Sequence, residues 1–253
     1  MATQEKANDS VRAVDRALEI LMAFTAADFE LSAAQLLKRV ELSRPTLYRL
    51  LNTLEQSGFL VAVGDPQKFR LGPAVAHLAH VWTASVDIAE IARPVLRDIW
   101  EQTGETVALF VPQGANRMCI AELPSTHPLS FKRGVGYRER IVLGASGRAI
   151  LAYANATPAD LKAWARGTGV DLEKYSAELA QTRKRGYAIS KEELIPGAVA
   201  VAAPFFHGSG QVAGSIGVFG PSVRLAAERI EALGKLLVKE ARVVSKALGS
   251  STK

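Results

Sequence analysis

The stretch LSRPTLYRLLNTLEQSGFL, from Leu42 to Leu60, constrains the fold more than any other part of this chain. Ser43 is placed to cap a helix by accepting a bond from a free backbone N–H. Pro45 falls in the first turn, where a missing N–H does no harm. Leu47, Leu50, Leu51 and Leu54 make one apolar stripe. Gly58 supplies the left-handed conformation that closes helices. Phe59 to Val63 then reads as a strand, Gly64-Asp65-Pro66-Gln67 as a turn and Lys68-Phe69-Arg70-Leu71 as a returning strand. A helix marked at both ends and followed at once by a tight hairpin admits few folds.

The upstream sequence narrows the choice. Val11, Val14, Leu18, Leu21 and Phe24 recur at spacings of three and four, predicting a first helix from about Val11 to Ala26 with those residues on its buried face. Asp28-Phe29-Glu30 breaks it. Ser32 and Gln35 form a capping-box pattern for a short second helix that buries Leu36, Leu37 and Val40, and Glu41-Leu42 makes the turn. Three helices and a hairpin are a winged helix-turn-helix, assigned to residues 1–72. After the break at Gly72-Pro73, Ala74 to about Ala89 reads as a helix within a linker spanning 73–89. Leu78, Val81, Trp82 and Val86 lie on one side of it, Asp87 is its one acid, and it has no Lys or Arg. Such a helix is expected to be covered, most simply by a dimer partner.

Residues 90–253 mix helix and strand signals. Helices are expected over Ile91 to Thr103 (stopped by Gly104), Ser146 to Tyr153, Ala159 to Trp164, Leu172 to Lys184 (closed near Gly186) and Leu225 to Leu248. The last carries Ile230, Leu233, Leu237 and Val244 on its apolar face. Strands are expected over Thr106 to Val111 and Arg117 to Leu123. A hairpin is expected from Val199 to Phe206 and Val212 to Phe219. Helices flanking an antiparallel sheet give an α+β fold class.

The leucine stripe leaves Arg44, Thr46, Tyr48, Arg49 and Asn52 on the outer face of the third helix. Arginine can pair with guanine and asparagine with adenine in the major groove, each through two hydrogen bonds. Thr46 and Tyr48 suit phosphate oxygens or a thymine methyl. Lys68 and Arg70 on the second wing strand are placed to hold flanking phosphates. Net charge alone does not locate this face. Residues 1–71 hold nine Lys/Arg against nine Asp/Glu, and the whole +6 lies in residues 72–253. Locally, Lys38, Arg39, Arg44 and Arg49 face one acid, Glu41, between Lys38 and Thr53.

Other function classes find little support. Hydrophobic residues are 48% and charged residues 22% of the chain, an ordinary globular balance. Cys119 is the one cysteine, so no intramolecular disulfide forms, which fits a reducing cytoplasm. The N-terminal MATQEKANDS lacks the apolar core of a signal peptide, and no apolar run reaches membrane-spanning length. A cytoplasmic protein with no membrane partner is expected. His77 and His80 are spaced to chelate zinc but have no third ligand nearby, so no metal or cofactor is expected. GASGR is not a nucleophile elbow, because glycine directly follows Ser146. GSGQVAG, Gly208 to Gly214, sits in a hairpin and not between a strand and a helix, so it is no dinucleotide fingerprint. The chain is not expected to be an enzyme.

VDRALEILMAF, LSRPTLYRLLNTLEQSGFL and FRLGP, in that order, resemble the IclR-type transcriptional regulators. GASGRAILAY, TRKRGYAISKEELIPGAVAVAAPFF and GQVAGSIGVFGP resemble their effector-binding domain at the right separations. The resemblance covers nearly the whole chain. It implies a winged helix-turn-helix that binds an operator duplex, a linking helix and a GAF-like ligand domain, assembled as a homodimer or a dimer of dimers. Carried over by position, it places Ala145, Ser146, Ser190, Ala198, Ala200, Gly217 and Phe219 at a small-molecule effector. Family members that take small carboxylates often carry an acid where Ser190 stands, a cysteine at Ala200 and serines at Gly217 and Phe219. All four differ here. A more apolar effector follows, an organic acid with an aromatic or apolar body, held by Phe219 with Phe110 and Met118. The alternatives are small residues that merely pack a filled core, a ligand sensor or enzyme-like domain without specific DNA binding, and a non-specific DNA binder.

Overall fold

A computed structural model of the chain describes residues 11–25, 27–85 and 87–250. For residues 79, 80 and 82–85 it describes the backbone alone. Two compact units result, residues 1–86 and 87–253.

The first unit holds α1 (Arg12–Met22), α2 (Ala33–Leu37), α3 (Arg44–Gln56), β1 (Leu60–Val63), β2 (Lys68–Leu71) and α4 (Pro73–Ser85). Its core is Ile20, Leu31, Leu36, Val40, Leu47, Leu51, Leu54, Leu60 and Phe69. The capping box on α2 is present: the Gln35 N–H donates to the Ser32 hydroxyl, and the Ser32 N–H donates to the Gln35 side chain at 2.8 Å. The wing pairs Leu60 with Leu71 and Val63 with Lys68. Leu31 extends it by exchanging two backbone hydrogen bonds with Phe69, 2.8 and 2.9 Å. Gly58, at φ +74°, reverses the chain after α3.

Three expectations need correction here. Val11, Val14 and Leu18 are exposed, and α1 inserts Ile20 instead, with Ala17, Leu21 and Phe24 packed beside it. The helix is turned so that a second apolar stripe, also spaced by three and four, faces the core. The Ser43 hydroxyl caps no backbone N–H; it lies 2.9 Å from the Thr46 hydroxyl. The linker helix stops at Ser85. Asp87 accepts from the Ala89 and Glu90 N–H groups and so begins a new helix, where a carboxylate is favoured. Ala26 and the side chains of His80, Trp82 and Val86 lie outside the described residues, and His77 is exposed.

The second unit holds α5 (Ile88–Thr103), β3 (Thr106–Gln113), β4 (Asn116–Leu123), β5 (Arg138–Arg140), α6 (Gly144–Leu151), α7 (Pro158–Ala165), α8 (Leu172–Arg185), β6 (Ala188–Lys191), β7 (Ala198–Phe206), β8 (Val212–Pro221) and α9 (Ala227–Ala247). Six strands form one antiparallel sheet in the order β5-β4-β3-β8-β7-β6. The two edge strands, β5 and β6, carry no signal strong enough to predict. α5 and α9 pack together on one face. α6 lies on the other, with α8 behind it. The approach of α6 is close. Ala145 and Ala149 meet Ala188 and Ala202. A Cβ on Gly147 would stand 1.9 Å from the Ile141 carbonyl oxygen, and one on Gly217 would stand 3.1 Å from the Ser146 hydroxyl.

Gly147→Ala tests this approach. Helix propensity alone favours alanine by about 1 kcal/mol, but the clash with backbone reverses the sign, and a net loss of about 1–3 kcal/mol is expected in denaturant unfolding. A gain in stability would show that α6 has room to spare.

Candidate nucleic-acid interface and ligand pocket

In the first unit, Leu47, Leu51 and Leu54 point into the core. Helical geometry therefore turns Arg44, Tyr48, Arg49 and Asn52 outward, and all four are exposed. Thr46 is half-buried. On the wing, Phe69 points inward, so period-two alternation sends Lys68 and Arg70 outward. None of Arg44, Arg49, Lys68 and Arg70 makes an ion pair among the described residues. Arg39 behaves otherwise. It donates to the Ala23 carbonyl and pairs with Asp28 at 2.8 Å, so it does not add to a free basic face as the sequence count assumed. Arg12 and Arg16 on α1, which sequence reasoning missed, line an open groove with Thr46, Arg49 and Asn52. What remains is a set of exposed, unpaired cations and amide donors on one helix, with two more cations on the adjacent hairpin.

In the second unit, a cavity of about 50 Å³ lies between α6, the sheet and the chain after β6. Phe110, Phe219, Ala198 and Ala200 reach it from the sheet, and Ala145 and Ser146 from α6. Ser190 closes it from β6. Two expected residues stand apart. Gly217 lies beneath Ser146 and serves the packing of α6. Met118 alternates with the buried Arg117 and Cys119, so its side chain leaves the sheet on the opposite side.

Eight lining residues were not expected, and three of them are charged: Arg117, Arg133 and Glu193. Arg117 is 4% exposed. Its Nη1 donates to the carbonyls of Arg140 and Leu143 at 2.9 and 2.8 Å, and its guanidinium carbon lies 5.4 Å from the Phe110 ring centroid. Its Nε is buried without a partner. Burial pulls its pKa down to about 10, with Glu139 the main opposing influence, so it remains charged at neutral pH.

Glu193 is held by several groups. Its carboxylate accepts from the Gly144 N–H at 2.9 Å, from the Ser190 hydroxyl at 3.0 Å and from Arg148 at 2.7 Å. Arg148 also reaches Glu178 at 3.1 Å. Burial alone would raise the Glu193 pKa; the Gly144 N–H, Arg148 and Ser190 outweigh it and hold the carboxyl below its ordinary value. Cys119 is buried, and burial pushes its pKa to about 12, so it stays a thiol and offers no nucleophile. Among the described residues, no group of three or more His, Cys, Asp or Glu is arranged to hold a metal, and no helix is long and apolar enough to cross a membrane.

Comparison with known proteins decides what frame these two sites share. The IclR helix-turn-helix domain matches residues 13–64, and the bacterial transcriptional regulator IclR C-terminal domain matches residues 80–246. The chain belongs to the IclR family. The HTH-type transcriptional regulator BhcR of Paracoccus denitrificans is 31% identical, with 93% of this chain and 86% of that protein covered. The transcriptional repressor IclR of Escherichia coli is 27% identical, covering 96% and 92%. The crystal structure of the Agobacterium tumefaciens repressor BlcR is 25% identical and superposes with a TM-score of 0.74, covering 97% of this chain and all of that one. As an IclR-family member this chain is a DNA-binding transcriptional regulator, not an enzyme, and its α+β architecture is that of the family.

Two expectations follow. Arg49→Ala should weaken binding to a specific duplex by about 1–3 kcal/mol and relax its sequence preference, whereas Lys68→Ala should weaken all duplexes alike and lower the salt slope by about one. Equal effects of the two substitutions in a salt titration would contradict the assignment of base and phosphate contacts. For Glu193, the depressed pKa means that its contribution to stability is complete above the unfolded value of 4.5 and is lost as pH falls through the lower folded value. Glu193→Gln should therefore lower Tm at neutral pH and flatten the acid limb of a Tm-against-pH curve. An unchanged acid limb would count against it.

Proposed function

We propose that this regulator reads a near-palindromic operator as a homodimer or dimer of dimers, under the control of a small organic acid with an apolar or aromatic body. Residues 1–72 form the DNA-binding domain, α4 the linker, and the unit from Asp87 onward the effector domain. Arg44, Arg49 and Asn52 read bases, Thr46 and Tyr48 support them, and Lys68 and Arg70 hold phosphates. Two copies related by a two-fold axis present their third helices to successive major grooves.

The observation that carries the effector class is the cavity wall. Phe110, Phe131 and Phe219 contribute aromatic surface, and Leu194 and Ile195 aliphatic surface. Pockets of this kind are mostly apolar with a few polar groups that fix orientation. A volume of about 50 Å³ holds little more than water. An aromatic acid therefore binds with a movement of the cavity wall. That coupled movement supplies what regulation needs, a ligand with different affinities for two arrangements of the chain.

Selection of genomic fragments by the purified protein, followed by sequencing of the retained DNA, tests the reading. Enrichment of one or a few sites with dyad symmetry is the expected result. Uniform retention would leave a non-specific binder, and no retention with or without added organic acids would leave a sensor without an operator.

A further inference from the structure

Arg117 is the least explained residue of the second unit. A buried cation costs solvation, and such groups are ordinarily paired. Arg117 has no carboxylate within ion-pairing distance among the described residues. Two backbone carbonyls take its Nη1 and fix the guanidinium plane. Among the described residues the opposite edge is idle: Nε has no partner, and Nη2 donates to none of them. That edge is a two-pronged donor of the spacing that receives a carboxylate side-on. Gly144, at φ +71°, borders it, and a Cβ there would approach Nη2 to 3.3 Å.

The charge around the cavity is also specific. Glu193 is matched by Arg148. Arg133 lies over the Tyr137 ring and donates to its hydroxyl at 3.3 Å. Glu139, opposite Arg117 on β5, is the anion that acts on it most, but among the described residues no carboxylate reaches its guanidinium, which stands at the foot of the aromatic walls.

Resting on the reading of this cavity as the effector pocket, we propose that Arg117 anchors the effector through its idle Nε–Nη2 edge, and that the effector is a monocarboxylate. Selectivity follows from the same arrangement. A neutral isostere leaves the guanidinium unmatched. A dicarboxylate brings a second charge among phenylalanines and beside Glu193. The Phe110 ring, against which the guanidinium lies, holds the anchor's orientation and forms the near wall for the ligand's body.

The test uses the full chain and two matched pairs, benzoate with benzamide and phenylacetate with phenylacetamide, together with phthalate, read by thermal shift and by titration calorimetry at millimolar concentration. Each monocarboxylate is expected to bind on the order of tenfold or more tightly than its amide, as a charge-assisted hydrogen-bonded pair would give, with phthalate weaker than benzoate. Arg117→Gln should erase the preference for carboxylate over amide. Arg117→Lys, which decides the matter where the neutral variant does not fold, should keep the sign of the preference and lose about tenfold in affinity, because one ammonium does not reproduce the fork. The proposal is overturned if no monocarboxylate binds, if acid and amide bind alike, or if either Arg117 variant binds benzoate as the unaltered chain does. Ala200→Phe, which fills the cavity, separates this failure from that of the pocket reading. Binding lost in Ala200→Phe but unchanged in Arg117→Gln leaves the pocket and removes the anchor. Binding unchanged in Ala200→Phe removes both.

Discussion

The second unit depends on how near α6 comes to its sheet. Alanines on both surfaces and glycines at 147 and 217 allow that approach, because a side chain at either glycine meets backbone or the Ser146 hydroxyl. The approach brings the Leu143 carbonyl and the Gly144 N–H to the end of β4. The carbonyl receives Arg117, and the N–H receives Glu193 from the chain after β6. Opposite charges thus line a single small cavity, each held by the start of the same helix. A looser helix would leave Arg117 Nη1 with the Arg140 carbonyl alone and Glu193 without its backbone donor.

The first unit works by a different economy. Nine buried side chains make its core, and the pair of hydrogen bonds between Leu31 and Phe69 ties the wing to the chain ahead of α2. With leucines supplying α3's cohesion, its remaining positions are free to be chosen for recognition. Arg44, Tyr48, Arg49 and Asn52 are exposed on it and bear little of the fold. In the proposed reading, recognition and stability occupy different faces of one helix.

The third helix and wing were legible because their signals are local: Pro45, Gly58 and the alternation about Phe69 each fix a neighbour's geometry. The phase of α1 was not, since Val14 and Leu18 satisfy the same spacing as Ala17, Ile20 and Leu21, and only the opposing core distinguishes them. The break at Asp87 was hidden because an apolar helix can run through one acid, and capping was the competing use. β5 and β6 are edge strands of three and four residues, too short for periodicity. At the pocket, Ala145, Ser146, Ser190, Ala198, Ala200 and Phe219 were legible through family resemblance, and Phe131 was not. Arg117 was not, although its alternation with Cys119 on an inward-facing strand was a usable signal. Its acceptors lie at residues 140 and 143, and no local pattern shows that its other edge stays unmatched.

If the pocket and the DNA-contacting helix belong to one equilibrium, each ligand must feel the other by the same factor. The most direct measurement is the affinity of a monocarboxylate for the free protein and for the protein saturated with its operator, set beside operator affinity with and without that carboxylate. The two ratios should be equal and different from one. Identical carboxylate affinities in the free and DNA-bound protein would contradict effector control, whatever the pocket holds.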